Sequence, residues 1–168
     1  MNGAGLSDAL LIIDLQNGVC YGETQLHHLD ELIIRINQKI EFYHKAKHTI
    51  IFVQHNDADL VKNTQSWAII PELLTEKGTH FVQKQHANSF YQTDLDLILK
   101  KHQVQTIEIC GAQTEYCIDA TIKMAHGLGY RLFLEKNLTS TYDNDFMSAP
   151  QTIGFYEGIW AQRFLTLV

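Results

Sequence analysis

Short apolar runs alternate along this chain with longer stretches of helical spacing. Ala9-Leu10-Leu11-Ile12-Ile13 is apolar at every position, as expected for a strand covered on both faces, and it stops abruptly at Asp14-Leu15-Gln16-Asn17-Gly18. An amphipathic helix follows, with Leu29, Leu32, Ile33, Ile36, Ile40 and Tyr43 on one face and Asp30, Glu31, Arg35, Gln38 and Lys39 on the other. Residues 49–54 form a second buried strand that ends at His55-Asn56-Asp57. Residues 58–77 are irregular, and Ile69-Ile70-Pro71-Glu72-Leu73-Leu74 leads into a short helix or turn. A third strand over 79–84 ends at Lys84, Thr93 is placed to cap a helix over 94–102, and 106–110 is a fourth strand. A tight turn then opens a helix with Cys117 in its first turn, closed by Gly127 and Gly129. A fifth strand over 130–134, a helix over 148–162 and a sixth strand over 164–168 complete the pattern.

Strands that alternate with helices in this way specify an α/β protein: one Rossmann-like domain over residues 1–168, with helices on both faces of a mostly parallel, six-stranded sheet. With the strand order 3-2-1-4-5-6, Asp14, Lys84 and Cys117 fall at or just past the carboxyl ends of three strands. Those ends line the crevice where open α/β sheets bind ligands.

Composition narrows the function classes. A chain of 168 residues that is 45% hydrophobic suits a single domain burying about two thirds of its unfolded surface. A net charge of −6, with the basic residues scattered, is wrong for a phosphate backbone, so no nucleic-acid partner is expected. Three cysteines without metal-ligand spacing fit a reducing compartment. Met1 to Asp8 has no basic leader, and the apolar run after it is too short for a signal core or membrane span, so a cytoplasmic protein without membrane contact is expected.

The chemistry concentrates on three residues. Cys117 at a helix start meets free N–H groups and a positive dipole end, which favour the thiolate. A sulfur that attacks an amide or ester also needs a base that returns the proton to the leaving group. Asp14 takes that role if burial raises its pKa, and Lys84 holds the pair in register and favours the anionic forms.

The segments Asp14-Leu15-Gln16-Asn17, Lys84-Gln85-His86-Ala87-Asn88-Ser89-Phe90 and Gly111-Ala112-Gln113-Thr114-Glu115-Tyr116-Cys117 resemble, in order and spacing, three signatures of the isochorismatase-like cysteine hydrolases, among them nicotinamidases and related amidases. The resemblance implies an Asp14, Lys84, Cys117 triad that cleaves a small-molecule amide through a thioester. It also implies a cis peptide between Ala112 and Gln113, an oxyanion hole from the backbone N–H groups of Gln113 and Cys117, and a homodimer or higher homo-oligomer. Val19, Trp67, Phe90 and Tyr116 are the expected pocket walls.

The chain departs from nicotinamidases where those resemble one another. Ile70 stands where a metal-binding His would follow Trp67, and Val19 replaces an aromatic residue. Nicotinamide is therefore not the expected substrate. No cofactor is expected either: His55, Asn56, Asp57 and Asp59 are the donors left for a hard cation, and three ligands in workable geometry are hard to assemble from them. Two further readings fit the same scaffold. One is vinyl-ether cleavage of the isochorismatase type, which does not keep the cysteine. The other is a redox-sensing thiol.

Overall fold

The computed structural model describes residues 6–168. Met1 to Gly5, the greater part of the segment read for a leader, lie outside the described residues. The first apolar run is strand β1, Ala9–Ile13, followed by a one-turn helix α1, Asn17–Cys20, and by the long helix α2, Leu29–Lys45. Strand β2 is Thr49–His55, and the irregular stretch after it holds a single 3-10 turn, Thr75–Lys77. Strand β3 is His80–Lys84, helix α3 is Leu95–Lys101 and strand β4 is Thr106–Ala112. A π-helical turn, Thr114–Ile118, then leads into helix α4, Asp119–Gly127. The chain finishes with β5, Arg131–Leu134, β6, Thr139–Ser140, α5, Ala149–Trp160, and β7, Thr166–Leu167.

The strands pair in parallel in the order β3-β2-β1-β4-β5-β7, with β6 beside β4. The fold class and strand order are those expected, with one strand more. β5 pairs with residues Thr106 to Glu108 of β4 and β6 pairs with Gly111 and Ala112, so the two share one flank of β4. Glu135, Lys136 and a positive φ at Asn137 break that position in two, and a polar interruption with a two-residue strand behind it reads as loop.

Alternation along β1 divides the core. Ala9, Leu11 and Ile13 join one apolar cluster with Leu95, Leu99, Ile118, Ile122 and Trp160, so α3, α4 and α5 cover that face. Leu10 and Ile12 join the other with Leu32, Ile36, Ile40 and Tyr43 of α2. The sandwich therefore has three layers. Lys39, on the polar face of α2 by pattern, leans over the sheet instead. Its Nζ lies 2.6 Å from Glu108 of β4 and 2.5 Å from Glu135, while Tyr43 donates to Glu108 at 2.7 Å. A buried acid in mid-sheet is matched in this way by groups from the covering helix.

Helix boundaries follow local chemistry closely. Asp94, not Thr93, is the N-cap residue of α3, although Thr93 Oγ1 still accepts the Leu95 N–H at 3.3 Å. Ser148 and Gln151 form a capping box on α5.

One glycine sets the distance between the two central strands. Gly111 is paired with Ile13 and has φ +122°, and a Cβ there would lie 2.2 Å from the Ile13 carbonyl oxygen. Neither the backbone angle nor the space admits a side chain. Gly111→Ala is expected to lower stability by about 3 kcal/mol or more, combining strain with a backbone clash. The midpoint of urea unfolding checks this, and an unchanged midpoint would contradict it.

Candidate active site

Each residue of the site leaves a different strand at its carboxyl end. Asp14 follows β1 directly, in the left-handed region at φ +53°, with its N–H on the Val53 carbonyl at 2.9 Å. An aspartate tolerates that conformation better than a branched residue, and its adoption at a strand end re-aims the side chain over the sheet. Lys84 closes β3 and is paired in register with His55, which closes β2. Cys117 sits in the π-helical turn after β4. The Ala112-Gln113 peptide before that turn is cis, and the Gln113 carbonyl accepts the N–H groups of Tyr116 and Ile118 on either side of Cys117.

Lys84 is the centre of the cluster. Its Nζ lies 2.6 Å from Asp14 Oδ2, 2.9 Å from His55 Nδ1 and 3.2 Å from Cys117 Sγ. The lysine and the aspartate are buried, and the cysteine is half-buried. Burial pushes the Asp14 carboxyl above its ordinary value, with Lys84 pulling the other way. Burial, and then the neighbouring Asp14, push the Cys117 thiol up to about 12, against the pull of Lys84. This reverses the tilt toward thiolate expected from a helix start. Desolvation outweighs a dipole that a distorted turn delivers weakly.

Ligand atoms of Asp14, His55 and Cys117 lie within 4.8 Å of one another, a grouping of the kind that holds a metal ion. The Lys84 ammonium, however, is bonded to all three. The cation these groups hold is the chain's own, and a divalent ion would have to displace it. The other donors expected near His55 are engaged locally: Asp57 Oδ1 accepts from Asp59 and Leu60 N–H, and Asn56 Oδ1 from Lys62 N–H.

Gln16 went unnoticed as a site residue at the level of sequence, and Asp57 was weighed only as a donor for a cation. Gln16 is buried, accepts the His55 N–H at 2.7 Å, and donates to the carbonyls of His55 at 2.9 Å and Trp67 at 2.8 Å. It fixes the end of β2 and the Trp67 loop together. A glutamine two residues past the aspartate that ends a buried strand was the available signal. Asp57 meets His55 Nε2 at 3.1 Å.

The expected pocket residues scatter. Trp67 is half-buried, and its indole Nε1 is buried without a hydrogen-bond partner. Val19, on α1, packs against the α2-side cluster. Phe90 lies in the core on the opposite face, the one against which Cys117 also packs, stacked on Tyr130 at 6.0 Å between ring centroids. Tyr116 has 59% of its surface exposed. Cys20 packs with the α2-side cluster and Cys117 with the other, which keeps the two sulfurs on opposite faces of the sheet.

An open parallel sheet with an acid, an ammonium and a thiol gathered where its strand order reverses defines a Rossmann-like protein with its site at the switch point. The family model of the isochorismatase domain matches residues 8–150, and the chain belongs to the isochorismatase-like cysteine hydrolase family. A solved isochorismatase family protein shares 45% identity over 95% of this chain and 96% of its own, with a TM-score of 0.92. Streptothricin hydrolase of Streptomyces noursei is 26% identical over 80% of this chain and 50% of its own length. Ureidoacrylate amidohydrolase of Agrobacterium fabrum is 26% identical over 52% of this chain and 39% of its own. No helix among the described residues is long and apolar enough to cross a membrane.

With the thiol raised, alkylation of Cys117 by iodoacetamide should keep accelerating beyond pH 8.5, the ordinary thiol value being about 8.5. Lys84→Met should slow it further, because the charge that favours the thiolate is gone. Rates from peptide mass spectrometry across pH check this, and a plateau reached below neutral pH would contradict it.

Proposed function

We propose that this protein hydrolyses a small-molecule amide through a thioester on Cys117. Asp14 is the proton carrier and Lys84 the fixed charge that holds both in register. The observation that carries the reading is the contact of one buried ammonium with both the Asp14 carboxylate and the Cys117 sulfur, at 2.6 and 3.2 Å. The names of two relatives, a hydrolase and an amidohydrolase, support the reaction class.

The steps balance as follows. Asp14 takes the S–H proton as sulfur bonds to the carbonyl carbon and the C=O pair moves onto oxygen, facing the backbone N–H groups of Gln113 and Cys117. The C–N bond then breaks, the amine leaves with the proton from Asp14, and a thioester remains. Asp14 next takes a proton from water as the water oxygen adds to the thioester carbonyl. Loss of sulfur gives the carboxylic acid, and Asp14 returns the proton to the thiolate. Burial raises the carboxyl that must accept the proton and so strengthens it as a base, while the same burial raises the thiol that must release it and Lys84 favours the anion on either group.

Three buried side-chain atoms of the described residues have no hydrogen-bond partner: Asp14 Oδ1, Trp67 Nε1 and Glu115 Oε2. Buried polar atoms are otherwise paired, so these three are natural receivers of polar groups on a substrate. The raised thiol weighs against a peroxide sensor, which needs a thiolate at neutral pH. A homo-oligomer belongs to the same reading, with the exposed Phe155 of α5 as a contact residue.

A panel of primary amides scored for ammonia release tests the reading. Cys117→Ala should abolish release and leave the circular dichroism unchanged, and Asp14→Asn should cost about 10²–10⁴-fold. Full activity in either variant would end the proposal. The pH profile is a separate check. Asp14 acts ionised and its pKa is raised, so activity present at neutral pH should be lost as pH falls through a midpoint above 3.8, the unperturbed value. A midpoint at or below that value would assign the base elsewhere.

A further inference from the structure

An ammonium carries three N–H bonds and no lone pair, and in a buried site each hydrogen needs an acceptor. Two of the acceptors around Lys84 are its proposed catalytic partners, Asp14 Oδ2 and Cys117 Sγ. The third is His55 Nδ1, at 2.9 Å. A ring nitrogen that accepts from an ammonium holds no proton, so the hydrogen of a neutral His55 sits on Nε2. Asp57 Oδ2 is 3.1 Å from that atom. The other oxygen of Asp57 is committed to its own turn, accepting the N–H groups of Asp59 at 2.9 Å and Leu60 at 2.8 Å. Burial lifts the Asp57 carboxyl, but these backbone bonds and His55 outweigh it and leave the group below its ordinary value, ionised and able to accept. The backbone of His55 is clamped by Gln16, so the ring starts from a fixed point.

The geometry points to His55 as a positioning residue for Lys84, locked by Asp57 in the Nε2–H tautomer so that its Nδ1 receives the third ammonium hydrogen. The inference rests on the reading of Asp14, Lys84 and Cys117 as a hydrolytic triad and extends it by two residues. With the third hydrogen satisfied, the ammonium keeps its charge away from water, and its other two N–H bonds stay aimed at the carboxylate and the sulfur. The opposite tautomer would turn Nδ1–H toward the ammonium. One hydrogen would then be orphaned, the buried charge would cost more, and its support of the thiolate would weaken.

Asp57→Asn separates positioning from loop architecture. Asparagine keeps Oδ1, so the turn through Asp59 and Leu60 stays capped. Its amide hydrogens replace the acceptor at Oδ2 and favour the wrong tautomer of the ring, as such a substitution does in other histidine-carboxylate pairs. His55→Asn keeps an acceptor oxygen close to the position of Nδ1, and His55→Leu removes it.

Two readouts on the full-length protein need no substrate. In nitrogen-15 ring spectra, the signals lost in His55→Leu identify His55, and they should show a protonated Nε2 and a bare Nδ1. In Asp57→Asn the pattern should reverse. Alkylation of Cys117 by iodoacetamide at pH 8 should slow about tenfold in His55→Leu and in Asp57→Asn, the worth of one buried charge-assisted hydrogen bond. His55→Asn should stay within about threefold of the parent, its oxygen still accepting from the ammonium. A protonated Nδ1 in the parent, or parent-like alkylation in both Asp57→Asn and His55→Leu, would overturn the inference. Either result leaves ammonia release by the parent intact. Absence of release from every amide would instead remove the hydrolase reading and leave the tautomer pattern standing, so the two failures are distinguishable.

Discussion

The interaction on which the site depends is the burial of one ammonium. Taking a charged amine out of water costs several kcal/mol even after relaxation, and the cost is offset only where every hydrogen finds a well-placed acceptor. Lys84 finds them on three other segments: Asp14 past the end of β1, His55 at the end of β2 and Cys117 in the turn after β4. A parallel sheet supplies this naturally. All its strands point the same way, so their last residues arrive at one edge, and the register of β2 with β3 sets His55 directly beside Lys84. The close approach of β4 to β1 at Gly111 then brings the turn bearing Cys117 over the same point.

Burial also explains why the two groups proposed to exchange a proton behave unlike free side chains. Desolvation raises both Asp14 and Cys117, since each has its anion disfavoured. Lys84 opposes both shifts. The site therefore rests with a neutral thiol beside a carboxylate that accepts protons more readily than it would in water, and the ammonium lowers the energy of the anionic partner on either side of the transfer. A thiolate-first site would need a better solvated sulfur beside the same positive charge.

How much of this the sequence revealed depends on whether a feature is local. The extent of β1 was legible to the residue, because five apolar positions end at an aspartate, and β2 differs only by His55 at its end. Asp14, Lys84 and Cys117 were legible as candidates because each sits at a strand end, which is a local fact. Their proximity followed from the strand order. The ionisation of Cys117 was not legible, since burial is a tertiary property and overrode the local dipole. The roles of His55 and Gln16 were hidden for the same reason: each depends on which atoms face it across the end of a neighbouring strand.

The division between sheet edge and loops has a consequence for substrate choice. The groups around Lys84 are held by sheet register and by the buried Gln16 clamp, so they are insensitive to what the neighbouring loops do. Residues 57–66 are instead held by side-chain turns of their own, such as Asp57 to Asp59 and Leu60, and Thr64 to Val61. Residues 139–147 are held by Tyr142 on the Val19 carbonyl and by Asn144 on the N–H groups of Phe146 and Met147. Such loops tolerate change without disturbing the core. Asp57 is the exception, since one of its oxygens caps the loop while the other faces His55. A loop replacement that kept the proposed role of His55 would have to keep an acceptor at that point, and this makes residue 57 the place where the loop and the sheet edge share a side chain.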